Sequence, residues 1–471
     1  MQFKHTLRPL TACATLVASV VLLTSSAEAA DKIAIKAGRI LTQAGTEIEN
    51  GVIVIENGRI QAVGQDVEIP WDAEVVDASE LVAFPGFVEA HASRGMDRSN
   101  ESVDVTPFLN VRDSIDPVNF YFEDALRSGI TTINVQQGAN TVIGAQGLVV
   151  KPYGMTIEEM LVRPDAGLKI AARPKGGKSR ATQAQALRRT FGDLKRYLDG
   201  LVQDKKDGND KARREALYQG RDLDSEEAKG TRPLTSSAVW TVEGLEAIPR
   251  GEIDEKQEPL LKLVEGRIPA WIHCQQPLDV ELALEIASDN GFLHRTTLVL
   301  EAACFKAADR IAERGVPVVL LPSLIHRERD PITGEEIETF VPSVYEEKGI
   351  PYAFASAGSS AEALWFQAAF AVGQGLDRAA ALNAVTTTPA DMLRLGDRVG
   401  SLEPGKDGNV VLFSGDPLSI TSFVEYVVLE GELVYDRSKD VRQQHLIEGV
   451  RPSNTAAATD EGQGDDGHGH K

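Results

Sequence analysis

Cysteine is nearly absent from this chain. Three thiols in 471 residues, Cys13, Cys274 and Cys304, cannot make a disulfide framework. Histidine is scarce as well, with eight copies, and aromatic residues make up only 6%. Positive charge is outweighed: 49 Lys and Arg face 70 Asp and Glu, a formal net charge of -21. Polyanions such as nucleic acid and acidic lipid surfaces are therefore poor candidate partners. No apolar run after the N-terminus is long enough to cross a bilayer. What remains is ordinary for a globular chain, 42% hydrophobic and 25% charged. The length predicts one large domain of roughly 250–350 residues plus a smaller one.

The first thirty residues, 1–30, read as a secretory signal. Lys4 and Arg8 supply the positive start, Leu10–Leu23 the apolar core, and Ala27-Glu28-Ala29 the cleavage site. The predicted mature chain begins at Ala30 or Asp31 and is exported to a periplasmic or extracellular space. That leaves Cys274 and Cys304, both in strand-like apolar segments where cysteine acts as a small hydrophobe; a bridge between them is left open. Residues 450–471 form a low-complexity acidic tail ending Gly467-His468-Gly469-His470, predicted to be disordered.

Between these ends the periodicity changes twice. Val52-Ile53-Val54-Ile55 and Arg59-Ile60-Gln61-Ala62-Val63 flank Asn57-Gly58, a two-residue hairpin signal. Hairpin patterns return at Asn409–Phe413, Glu425–Leu429 and Leu433–Tyr435. Strands at both ends predict a composite β-sandwich from residues 31–82 and 400–441. Residues 83–399 alternate short apolar runs with amphipathic helices, such as Phe120–Ser128 before Thr131–Val135 and Ala270–His273 before Val280–Asp289. That rhythm over that length predicts an α/β fold built on a (β/α)8 TIM-like barrel. Residues 175–229 break it with a charged helical insertion. Its basic half, Lys175–Arg189, reads as a solvated face rather than an anion patch.

Two signatures carry a family resemblance. Ala83-Phe84-Pro85-Gly86-Phe87-Val88-Glu89-Ala90-His91 resembles the entry to the barrel in the amidohydrolase superfamily, where a P-G-F/L-I/V-D-x-H-x-H run ends the first barrel strand. Ala384–Ala390, Gly400–Asp407 and Val410–Phe413 are similar to that family's closing T-x-N-P-A … G-S-[IL]-x-x-G-K-x-A-D-[LV]-V-V signature. The middle of the chain looks closest to the imidazolonepropionase-like branch of metal-dependent hydrolases. The resemblance covers residues 31 to 441.

What it implies is hydrolysis of an amide-like C–N bond, non-peptide or dipeptide, at one or two divalent metals such as Zn2+. A metal-bound water must lose its proton near neutral pH, which takes a tightly held cation and a carboxylate base. The family places an H-x-H pair on the first strand, histidines on the fifth and sixth, and an aspartate on the eighth. Here His91-Ala92-Ser93 replaces H-x-H, His273 is kept, Leu300 or Glu301 stands at the sixth strand, and the eighth reads Phe354-Ala355-Ser356-Ala357 without an aspartate. Two of five expected groups remain. The residual metal candidates are His91 and His273, with Glu301 as an added oxygen donor. Glu89 or Asp97 is a candidate base, and Lys151 sits where a strand ends as the modified lysine of some members does. His326 is a further candidate in the loop after the seventh strand, whereas His294 and His445 fall elsewhere.

Three readings follow. The chain is an amidohydrolase-family protein with weak, altered or lost activity, a possible pseudoenzyme. Alternatively, it is a non-catalytic binding or partner subunit that forms homo-oligomers, or hetero-oligomers with an active relative. Or it is an active hydrolase with a rearranged mononuclear metal site. Each places a small-molecule substrate or ligand at the barrel mouth.

Overall fold

The computed structural model describes residues 32–45, 47–219 and 242–448; the predicted leader at 1–30 and the predicted tail at 450–471 lie outside them. Alternating apolar residues make the first strands, β1 (Lys32–Ile40), β2 (Ile48–Glu56), β3 (Arg59–Gly64) and β4 (Glu74–Phe84). Asn57 and Gly58 both adopt positive φ, 51° and 74°, so β2 turns tightly into β3 as their sequence predicts.

The barrel strands follow: β5 (Phe87–Ala92), β6 (Ile130–Val135), β7 (Ile143–Val150), β8 (Leu161–Ala171), β9 (Ala270–Cys274), β10 (Thr296–Leu300) and β11 (Val318–Leu320). A hairpin, β12 (Ile325–Arg329) and β13 (Glu336–Phe340), precedes the last barrel strand, β14 (Tyr352–Phe354). Finally β15 (Val410–Phe413), β16 (Val424–Leu429) and β17 (Glu432–Asp436) return to the start of the chain. They complete a seven-stranded sheet in the order β17-β16-β15-β4-β1-β2-β3, where Val82, Ala83 and Phe84 of β4 pair with Phe413, Leu412 and Val411 of β15. Ile33, Ile35, Ile53, Ile55, Val410 and Leu412 share its apolar cluster.

The predicted eight-stranded barrel is present, in sequence order β5 to β11 and then β14. It closes between its ends: the Ser93 N–H donates to Ala357 O at 2.8 Å, and the Ala357 N–H to His91 O at 3.0 Å. One strand departs from the all-parallel pattern. β7 runs antiparallel to both β6 and β8, so the chain passes between them without a crossover helix. The remaining seven barrel strands are parallel.

Outer helices include Phe120–Arg127 and Pro277–Asp289, which fall where the amphipathic spacing places them, and Ala308–Arg314 and Ala363–Gly373. Pro277 at the first turn and the Asp279 carboxylate, which accepts from the Gln275 and Gln276 N–H groups, set the start of one of them. Within the charged segment, Arg180–Gln219 is a 40-residue helix that buries Leu187, Phe191, Leu194 and Leu198 at helical spacing, and residues 220–229 lie outside the described ones. Carboxylates answer its cations: Lys175 and Lys178 pair with Asp104, Arg180 with Asp279 and Arg188 with Glu285. At the N-terminal end of the barrel, Ala390, Leu393, Leu395 and Val399 pack in one cluster with Trp271, Val299 and Val319.

Candidate active site at the barrel mouth

The parallel strands aim their C-terminal ends at one mouth, where barrel side chains gather for chemistry. β5 brings Glu89 and His91, β8 brings Lys169, and β9 brings His273. Glu301 follows β10 directly, and Ser356 follows β14.

Glu89 is fully buried. Its carboxylate accepts from the backbone N–H of His91 at 3.0 Å and of Ser356 at 2.9 Å, which ties the first strand to the eighth. Burial still pushes its pKa up to about 7, against the pull of those donors.

Lys169 has no solvent exposure. Its Nζ lies 2.7 Å from His91 Nε2. Burial pulls the Lys169 ammonium down to about 7; Cys274 opposes this and Arg173 adds to it. Burial first, then Lys169 and His273, hold the His91 imidazole well below its ordinary value. Both partners thus favour their neutral forms, and one shared hydrogen bond satisfies amine and ring nitrogen together.

His273 Nε2 faces Glu301 Oε1 at 3.2 Å. Burial lowers the His273 pKa to about 4, outweighing the pull of Glu301. Burial pushes the half-buried Glu301 carboxyl up, and His273 with Arg173, 3.7 Å away, more than reverses it.

Around this cluster several buried atoms have no partner within the described residues: His91 Nδ1, Gln136 Oε1, Gln137 Nε2, Ser356 Oγ and Arg173 Nε. Buried polar atoms are ordinarily paired, so these groups are the mouth's uncommitted donors and acceptors.

Among the described residues no three His, Cys, Asp or Glu side chains come together in a metal-holding group. His91 Nε2 is engaged by Lys169, and His273 Nε2 by Glu301. Leu300 and Ala355 are buried and apolar where further donors were expected. As arranged here, the donors do not fit a catalytic zinc, which takes three protein ligands.

Of the sequence candidates, His91, His273 and Glu301 reach the mouth. His326 does not: it lies on β12, its ring 5.4 Å from Phe305 and its Nε2 3.7 Å from Glu328. His294 is exposed beside Gly266, and His445 sits on the helix Val441–Glu448. Asp97 is exposed and accepts from the Arg98 N–H, so of the two candidate bases only Glu89 belongs to the site.

Lys151 does not reach the mouth. It follows β7, and because β7 is antiparallel its end points away from the mouth; Lys151 pairs with Glu430 at 2.5 Å instead. The buried strand lysine is Lys169. A lone lysine inside the apolar run Gly167-Leu168-Lys169-Ile170-Ala171-Ala172 was the signal for it. The cysteines are both free: Cys304 Sγ points at Cys274 O, 3.4 Å away. In the glycine-rich segment after β6, the Gly138 N–H donates to Ser99 O and the Asn140 N–H to Asn100 Oδ1, in the loop that follows β5.

Histidines on the first and fifth strands of such a barrel, with a sheet shared by both chain ends, match what the sequence resemblance implies. Residues 358–435 match the model of the Amidohydrolase family. Amidohydrolase tasK of Hapsidospora irregularis is 24% identical over 425 residues, 82% of this chain and 40% of its own length. A 5-methylthioadenosine/S-adenosylhomocysteine deaminase of Caldicellulosiruptor saccharolyticus is 38% identical over 66 residues, 13% of this chain and 15% of that one. The chain therefore spans well under half the length of these curated relatives. An amidohydrolase structure from Thermotoga maritima MSB8 is matched over 86% of this chain and 100% of its own, at 27% identity and a TM-score of 0.68. The family model, the curated relatives and the solved structure together support a place for this chain in the amidohydrolase superfamily.

Proposed function

We propose that this protein is an exported amidohydrolase in which metal-dependent hydrolysis of amide-type C–N bonds has been weakened or lost. Its barrel mouth is then a binding site for a small polar molecule. The observation that carries this reading is the Lys169 amine, 2.7 Å from His91 Nε2 inside the buried mouth. Ser93 in place of the family's second histidine, Leu300 or Glu301 in place of the sixth-strand histidine, and an alanine in place of the aspartate support it.

Without a metal-bound water the mouth still offers directional chemistry. Lys169 Nζ and Gln137 Nε2 are donors, Gln136 Oε1 is an acceptor, and Ser356 Oγ serves as either. Such a set suits a ligand carrying both a carbonyl and an N–H, the two ends of an amide. In this reading the amide is held, not cut.

The test is metal content by mass spectrometry on the mature protein purified without a histidine tag, before and after zinc loading. The expected result is far less than one zinc per chain and no change in melting temperature. One zinc per chain, lost in the His91→Ala, His273→Ala double variant together with chelator-sensitive turnover of amides or dipeptides, would overturn the proposal.

A further inference from the structure

We propose that the opposite, N-terminal face of the barrel carries a second binding site, for a small organic molecule with a phosphoryl or carboxylate head group. A cleft of about 490 Å³ opens there, lined by Leu293, His294, Arg295, Arg314, Met392 and Arg394 among others. That is the size of a site for a small ligand and larger than a bare inorganic ion needs.

Its charge runs against the rest of the molecule. In a chain with a net charge of -21, three arginines and a histidine converge on one cleft. Among the described residues none of the three guanidinium groups has a carboxylate partner, whereas Arg188, Arg310 and Arg327 elsewhere on the surface each pair with a glutamate. Arg163, which donates to Leu393 O at 2.6 Å, borders the same region. Its charge is disfavoured by burial and by Arg295, with Asp165 opposing. The acid in the cleft wall, Asp391, has its carboxylate turned into the space beside Gly396.

Arg394 adds a second, independent indication. It sits at φ 56°, just beyond the helix Thr387–Met392, and the Leu395 N–H closes the turn onto Ala390 O at 2.8 Å. Glycine or asparagine suits that left-handed position. An arginine there accepts local strain and places its guanidinium at the cleft. The planar fork of arginine matches phosphate and carboxylate alike, and Leu293 and Met392 offer apolar wall to the ligand's carbon skeleton.

The experiment is isothermal titration of the full mature protein with inorganic pyrophosphate and, separately, citrate, at low ionic strength and at about 150 mM salt. Saturable one-to-one binding of at least one probe is expected, weakening with salt. The Arg295→Gln, Arg394→Gln double variant should lose at least about tenfold in affinity. Pyrophosphate bound in preference to citrate assigns a phosphoryl ligand, and the reverse a carboxylate. If the double variant does not fold, the exposed Arg314→Gln variant takes its place, with an expected loss of about threefold. No saturable binding of either probe, or unchanged affinity in a folded variant, would sink the proposal. Because the mouth lies at the other end of the barrel, its metal content does not bear on this result.

Discussion

The amine of Lys169 and the imidazole of His91 share a hydrogen bond of 2.7 Å with both side chains buried. These residues are 78 positions apart, and only the pairing of the barrel strands brings them together. A buried amine beside a buried imidazole is held by one neutral bond, and its cost depends on pH.

The Lys169→Met variant tests that cost. In the folded chain Lys169 titrates at about 7 instead of 10.5, so the unfolded chain binds the extra proton between those values. Its share of stability is complete above pH 10.5, falls as pH drops toward 7, and is constant below. Urea denaturation at pH 7 and pH 9.5 should show wild-type stability rising by roughly 2–4 kcal/mol from this group, and the variant losing most of that rise. Lys151→Ala, which removes a partly exposed pair with Glu430, should shift stability by less than about 1 kcal/mol at either pH.

Acid should act through the imidazoles. His273 titrates at about 4 when folded and 6.5 when unfolded, and His91 is lowered in the same direction. The His273 contribution is whole above pH 6.5 and lost as pH falls toward 4, and His91 acts in the same direction. Glu89, raised from 4.5 to about 7, opposes them, since its contribution is whole below pH 4.5 and lost as pH rises to 7. Two imidazoles outweigh one carboxyl. The expected melting temperature falls from pH 6.5 to pH 4.5, and the fall is shallower in His273→Asn.

Glu89 also separates charge from hydrogen bonding. Glu89→Gln keeps an acceptor for the His91 and Ser356 N–H groups and removes the buried charge, so at pH 8 it should equal or exceed wild-type stability. Glu89→Ala leaves both N–H groups unpaired and should cost about 2–4 kcal/mol. Equal losses in the two variants, measured by urea denaturation, would contradict this account.

Near the C-terminus, Arg127 grips Asp440 through Nε at 2.6 Å and a second nitrogen at 3.1 Å, with the carboxylate almost wholly buried. Asp440 also accepts from Tyr435 and from the Arg442 and Gln443 N–H groups. Asp440→Ala should therefore lower stability by about 2–4 kcal/mol and expose the helix Val441–Glu448 to early amide exchange. Hydrogen exchange with mass readout checks both the size and the place of the effect.

Local pattern was enough for several features. Alternating apolar residues and the Asn57-Gly58 turn specify β2 and β3, and the strand–helix rhythm specifies the barrel. The ends of the first and fifth barrel strands are legible in Phe87–His91 and Ala270–His273, because short apolar runs stop at a polar residue. Strand direction is not legible in this way. A period of two is the same for a strand running up or down the barrel, so nothing in Ile143–Val150 says that β7 is antiparallel and that Lys151 leaves by the other end. Tertiary structure alone decided that Lys169, not Lys151, meets His91, and that Arg295, Arg314 and Arg394 converge on one cleft. It also decided the titration of the mouth. Burial and the nearest charge set those pKa values, and both come from segments distant in sequence that only folding brings into contact.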